Sequence, residues 1–211
     1  MWVGRILDDK KHIDMKDFNP RNIAEQAREV LAGIKEPQRR AILENFIEHA
    51  EAECTGDYEK LIASCSSKSQ TYAVYGAGEA IAEMQPKTVE EMKDFYRMLV
   101  ESNVYMIHGE IEKLIVGDHE LFVEIILHQL YPGEMLPAAF GTEFGEEGEV
   151  WQLTQRVATI FCFDDENKGC AEHSFTDGVT KPEWLRKEDP RAVPAQFWNN
   201  PLTGPRENKP F

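Results

Sequence analysis

The sequence predicts an α+β fold, with helices in its first half and long antiparallel strands in its second. Three observations predict it. Apolar residues recur at three- and four-residue spacing as far as Glu101, alternation at two takes over from Val104, and the alternating runs are separated by Gly-Asp, Pro-Gly and Asp-Asp-Glu-Asn turns. This order collects the helices on one face of the sheet. A chain of 211 residues accommodates one domain with a hydrophobic core plus extensions, and 42% apolar with 29% charged residues is ordinary globular composition.

The first helix is expected from Asn19-Pro20, as cap and first helical position, with Ile23, Ala27, Val30, Leu31 and Ile34 on one side. A stronger helix starts at Pro37 and carries Leu43, Phe46, Ile47, Ala50 and Cys54 as one stripe up to the turn at Thr55-Gly56-Asp57. Tyr58, Leu61 and Ile62 suggest a third, short helix, and Thr71 to Tyr75 a brief strand closed by Gly76. Thr88 caps a helix from Val89 to Glu101, with Glu91 in the capping-box position. The strand-like runs are Val104 to Val116, Leu121 to Tyr131, Trp151 to Phe163 and Gly169 to Thr176. Between the second and third, residues 132–150 form a Gly-rich acidic loop, long enough for a lid or a mobile connection. After Gly178, six prolines prevent long helices or central strands, yet Trp184, Leu185, Phe197, Trp198 and Leu202 are wasteful apolar surface unless covered. The expected organisation is an N-terminal extension (1–36), a central domain (37–177) and a C-terminal tail (178–211) that packs on its own domain or on a partner subunit.

With 23 Lys plus Arg against 38 Asp plus Glu, the net charge is -15, which opposes binding to nucleic acid or an anionic membrane. Acidic residues interrupt the opening segment Met1 to Lys10, and nothing later approaches the ~18 uninterrupted apolar residues of a membrane span. Cys54, Cys65, Cys162 and Cys170 have no CxxC spacing, so reduced thiols and a cytoplasmic location are expected.

Two segments, Gln155 to Asp165 (QRVATIFCFDD) and Cys170 to Asp177 (CAEHSFTD), follow a helix ending in Cys-Thr-Gly-Asp-Tyr-Glu-Lys-Leu and the strand Thr71 to Tyr75. In this order they resemble the closing hairpin and preceding elements of the nuclear transport factor 2-like superfamily, in particular its SnoaL-like (polyketide cyclase-like) proteins. The resemblance spans about residues 37 to 177 and implies a cone-shaped, curved antiparallel sheet packed on three to four N-terminal helices around a pocket. It also implies dimerisation through the outer sheet face, and activities that range over cyclases, isomerases, dehydratases and epoxide hydrolases. By position His49 stands where isomerases and some dehydratases keep a catalytic Tyr. Ala73 stands where isomerases have their carboxylate base, and Ala moves no proton. Cys54 is near a dehydratase Asp, Thr159 near an inward Asp or His, and Ser174 near the carboxylate that activates water in epoxide hydrolases.

The residues themselves offer further candidates. On the strand from Val104, Tyr105, Ile107 and Ile111 share one face, and His108, Glu110 and Glu112 the other. His108 is a candidate general base, since imidazole titrates near ~6.5. Phe122, Glu124, Ile126, His128 and Leu130 form a mixed face suited to a pocket wall or an interface. Thr159, beside Phe161, is a candidate donor to a ligand carbonyl; Tyr72 and Tyr105 are alternative donors, and Trp151 a candidate wall. On the last strand Glu172 and Ser174 share one face, His173 and Phe175 the other. If His173 faces inward, it joins His108 and His49 in a proton-transfer pocket; if Glu172 does, it supplies a carboxylate. His108, His128 and Glu124 lack a compact metal-ligand motif, and the chain has no phosphate loop or dinucleotide fingerprint, so no metal or cofactor is expected. The functional expectation is a cofactor-independent acid/base enzyme, a lyase or isomerase, acting on a small, largely apolar carbonyl compound. The alternative is a noncatalytic ligand-binding or dimeric assembly module.

Overall fold

In the computed structural model, which describes residues 11–78, 85–207 and 209–211, the longest helix is built as its sequence requires. This helix, α2 (Pro37–Thr55), has Pro in its first turn, where no backbone donor is needed. It ends at Gly56, whose left-handed backbone (φ 71°) lets its N–H reach the last carbonyls. Asp57 then caps α3 (Tyr58–Ser64) by accepting from the Lys60 N–H. The Thr88 hydroxyl accepts from the Glu91 N–H at the start of α4 (Val89–Glu101), while the Glu91 carboxylate takes the Lys87 N–H. α1 (Asn22–Leu31) begins later than Pro20, because the Asn19 side chain accepts from the Arg21 N–H and holds a turn there. Residues 1–10, read as interrupting any signal peptide, lie outside the described residues.

Five strands run β1 (Thr71–Tyr75), β2 (Ile107–Val116), β3 (Glu120–Pro132), β4 (Val150–Phe163) and β5 (Gly169–Thr176), in the spatial order β1-β5-β4-β3-β2. A sixth, β6 (Leu185–Glu188), pairs with the start of β4. The sheet is curved, open and mixed: β1 is parallel to β5, where the sequence predicts antiparallel strands throughout. The reason is a connectivity that strand patterning does not contain, since α4, β2, β3 and β4 all intervene between these two strands. A β-bulge between Ile111 and Lys113 shifts the alternation of β2, so Leu114 and Val116 also turn toward the helices. The main core lies between this face and α1 and α2, and includes Leu43, Phe46, Ile47, Leu121 and Val157.

Residues 132–150 are neither a pocket lid nor a loose connection. They contain α5 (Leu136–Phe140), whose Leu136 is buried with Leu153, Trp184 and Leu185, and Phe144 stacks on Trp151 at 4.7 Å. The backbone crosses itself where both residues are Gly: a Cβ on Gly145 would come 2.3 Å from the Gly133 carbonyl oxygen. The tail packs on its own chain, with Phe197 and Trp198 buried against Val100, Tyr105, Met106 and Leu130. Leu202 is the exception and remains 39% exposed.

Candidate active site

Register settles which face of the sheet looks at the helices. Phe161 pairs with Glu172 and Glu172 with Tyr72, while Thr159 pairs with Ser174; paired residues share a face. Phe161, Glu172, Thr159 and Ser174 line a cavity of about 150 Å³ between the sheet and α2. His173, with its partners Ile160 and Ala73, is on the outer face. The cavity wall is otherwise Ile23, Phe46, Ala50, Cys54, Ile107, Val123, Ile125, Leu127 and Val157, together with His49 and Glu53 of α2.

One end of this apolar space holds a charged cluster. His49 and Glu53 are one helical turn apart and so project from the same side of α2. His49 Nε2 is 3.4 Å from Glu172 Oε1 and 3.8 Å from Glu53 Oε2. The Tyr96 hydroxyl donates to Glu172 at 2.6 Å, and stands 3.2 Å from His49 Nε2 and 2.9 Å from the Tyr72 hydroxyl. On the other side of the ring Nδ1 is 2.9 Å from Ser64 Oγ, whose own proton goes to the Leu61 carbonyl. Ser64 therefore accepts from Nδ1–H. Because Tyr96 spends its proton on Glu172, it accepts from Nε2–H and from Tyr72. Both ring nitrogens are donors, which is the hydrogen bonding of an imidazolium.

The electrostatics agree with that proton count. Burial works against charge on His49, but contacts with the Cys65 sulfur and the Glu172 carboxylate outweigh it and hold the ring well above its usual value. Burial also opposes the charged form of Glu172, yet His49 and the two tyrosine hydroxyls keep its carboxyl below the usual range. Glu53 is different: burial and the neighbouring Glu172 charge, against the pull of His49, push it up to about 7. Burial and the charge of Glu172 raise Tyr96 and Tyr72 well above the ordinary phenol value, so both stay protonated. The site thus combines a fixed ion pair with one carboxyl poised between its two protonation states.

Of the residues predicted from sequence, His49, Glu172, Thr159 and Phe161 come together around the cavity, and Tyr72 joins their hydrogen-bond chain. The others do not. His108 is on the outer face, paired with His128, because β2 directs Ile107 to the cavity and its neighbour away. Tyr105 precedes β2 and is buried under the tail against Gly56, and Trp151 packs with Phe144 on the far end of β4. Glu53 and Tyr96 were not singled out in the sequence. The spacing of His49 and Glu53 was a usable signal for the first, whereas Tyr96 reads as one more core residue beside Met92 and Leu99.

Three solved structures described as SnoaL-like polyketide cyclases have this architecture. One from Shewanella putrefaciens CN-32 is 15% identical over 74% of this chain and 88% of its own, with a TM-score of 0.53. One from Jannaschia sp. CCS1 is 13% identical over 68% and 90%, and one from Shewanella denitrificans OS-217 is 15% identical over 67% and 92%, each with a TM-score of 0.50. The chain has the nuclear transport factor 2-like fold, an α+β cone around a cavity. Its likeness is to structures described as SnoaL-like, and at these identities it is a likeness of fold alone. No protein-family model and no curated protein matches the sequence. No helix among the described residues is long and apolar enough to cross a membrane, and among the same residues no group of three or more His, Cys, Asp or Glu side chains is arranged to hold a metal. All four cysteines are free thiols.

Proposed function

We propose that the chain is an acid/base enzyme that moves a proton at the carbon next to a carbonyl in a small, largely apolar compound. The observation that carries this reading is a carboxyl near neutral pKa, Glu53, at the rim of a buried His49–Glu172 ion pair inside an apolar cavity. Glu53, as carboxylate, takes the C–H proton, and the electron pair of that bond becomes an enolate. Thr159 and Ser174 are 3.0 Å apart; one hydroxyl donates to the other, whose own O–H is left for the developing oxyanion. The positive charge of His49 favours the same negative intermediate. Return of the proton to a different carbon completes an isomerisation, and loss of a β-hydroxyl as water, carrying the Glu53 proton, completes a dehydration.

A homodimer in this reading uses the part of the outer face where Phe122, Ile160 and Phe175 lie. A second reading, a noncatalytic binding module, is favoured by the predominance of apolar residues in the cavity wall. The two are separated by incubating the protein in deuterated buffer with a panel of small cyclic ketones and enones and following deuterium incorporation by NMR. The expected result is exchange that falls about 100-fold or more in Glu53→Gln. Binding without exchange for every compound, or exchange unchanged in Glu53→Gln, overturns the enzyme reading.

A further inference from the structure

Two buried histidines, His108 and His128, and the half-buried His12 lie outside the cavity on the opposite side of the sheet, where residues 12–19 cross it. The segment is tied down by side chains. Gln152 of β4, fully buried, accepts the Ile13 N–H at 3.0 Å and donates to the Ile13 carbonyl at 3.1 Å, and the Arg186 guanidinium donates to the same carbonyl. His12 Nδ1 and His128 Nδ1 each stand 2.9 Å from Thr154 Oγ1. The Asn19 N–H donates to His108 Nδ1 at 3.0 Å, and Phe18 packs against the His108 ring.

We propose that residues 12–19 form an acid-released strap, held on the outer face of the sheet only while His108 and His128 are uncharged. Two contacts require neutral rings. A backbone N–H donates to His108 Nδ1, so a proton on that nitrogen sets donor against donor and breaks the tie to Asn19. His128 Nε2 is buried with no hydrogen-bond partner among the described residues, which a bare imine nitrogen tolerates far better than a charged N–H. The His108 and His128 rings are 5.7 Å apart, so charging either opposes charging the other.

The charged groups facing the cluster do not rescue it. Arg186 of β6 repels charge on His12 and His128, and is itself paired with Glu188. Asp17 of the strap and Glu25 of α1 favour charge on His108, but burial prevails and its value stays lowered. Burial, with His108, His12 and Arg186, depresses His128 to about 3, and burial with Arg186 lowers His12. The sign follows directly. These folded values lie below that of a solvated His, so the closed strap is stable above pH ~6.5 and loses stability as pH falls from there toward the folded values. With His128 at about 3, that residue alone favours release roughly 25-fold at pH 5 over pH 7. Release withdraws Met15 and Phe18 from the cluster containing Leu130, Val150 and Trp198, and so uncovers an apolar patch.

The test is independent of catalysis in the cavity. Hydrogen exchange, corrected for intrinsic rates, is measured on the unmodified protein at pH 7 and pH 5 for peptides covering residues 11–21 and 37–55. The expected result is a loss of protection of ten-fold or more in 11–21 with α2 unchanged. Equal protection at both pH values, or equal loss in both peptides, overturns the proposal. A His108→Asn/His128→Asn variant, whose amides accept the same donors without titrating, is expected to change less than threefold; a change as large as in the unmodified protein overturns it. NMR titration of the unmodified imidazoles gives a variant-free check: normal titration near 6.5 with the strap still protected overturns the proposal as well.

Discussion

Replacing Glu172 by Gln removes a buried negative charge while nearly preserving the side chain's shape, and the effect on His49 follows from the geometry. The two charges are 3.4 Å apart, which in an effective protein dielectric of ~20 is an attraction of about 5 kcal/mol. Burial already opposes charge on the ring and is outweighed only by its partners. Without the carboxylate only the contact with the Cys65 sulfur, a neutral thiol's weak acceptor, still opposes burial, and the ring is expected to become neutral at pH 7. The assay is long-range 1H–15N correlation of the histidine side chains, in which imidazolium and neutral ring nitrogens are well separated. The unmodified protein is expected to show both His49 nitrogens protonated at pH 7, and Glu172→Gln to show one bare nitrogen. A neutral His49 in the unmodified protein, or a charged one in the variant, refutes the ion-pair description of the site.

The same groups set a pH profile for stability. The raised His49 contributes fully below pH ~6.5 and loses its contribution as pH rises through its folded value, whereas the lowered Glu172 contributes fully above pH ~4.5 and loses it on acidification. Urea unfolding is expected to find the pair's contribution complete only between those limits, and absent in Glu172→Gln. Glu53 is raised to about 7, so its protonated form carries stability that is lost as pH rises from ~4.5 through 7. Glu53→Gln is expected to stabilise the protein by up to about 3 kcal/mol at pH 8 and hardly at all at pH 4.5, measured by thermal melts at both. Phe197→Ala removes a fully buried ring that joins the tail to the domain, with an expected cost of about 3–5 kcal/mol in urea unfolding. Thr88→Ala removes the α4 cap and is expected to cost about 1 kcal/mol.

Much of this molecule is legible in its chain because the signals are local. The stripe of α2, the Gly56 stop, the Thr88 cap and the alternation of β3 to β5 each depend on residues within a turn or a hairpin, and the described structure has them where the sequence predicts. What tertiary structure alone decided is direction and company. Whether Glu172 or His173 faces the cavity is a parity fixed by pairing with β4, which no property of the segment CAEHSFT reveals. The same parity, set by Ile107 facing inward, sends His108 to the far side of the sheet. The parallel placement of β1 beside β5 brings Tyr72 toward Glu172 although a hundred residues of chain lie between them. Tyr96 becomes part of the charged cluster only because α4 lies where its hydroxyl meets both His49 and Glu172. The sequence by itself determined the elements and the polarity of their faces. Which faces meet was decided by burial summed over the whole sheet, because a side chain's partner in a β-rich fold comes from residues distant in the chain.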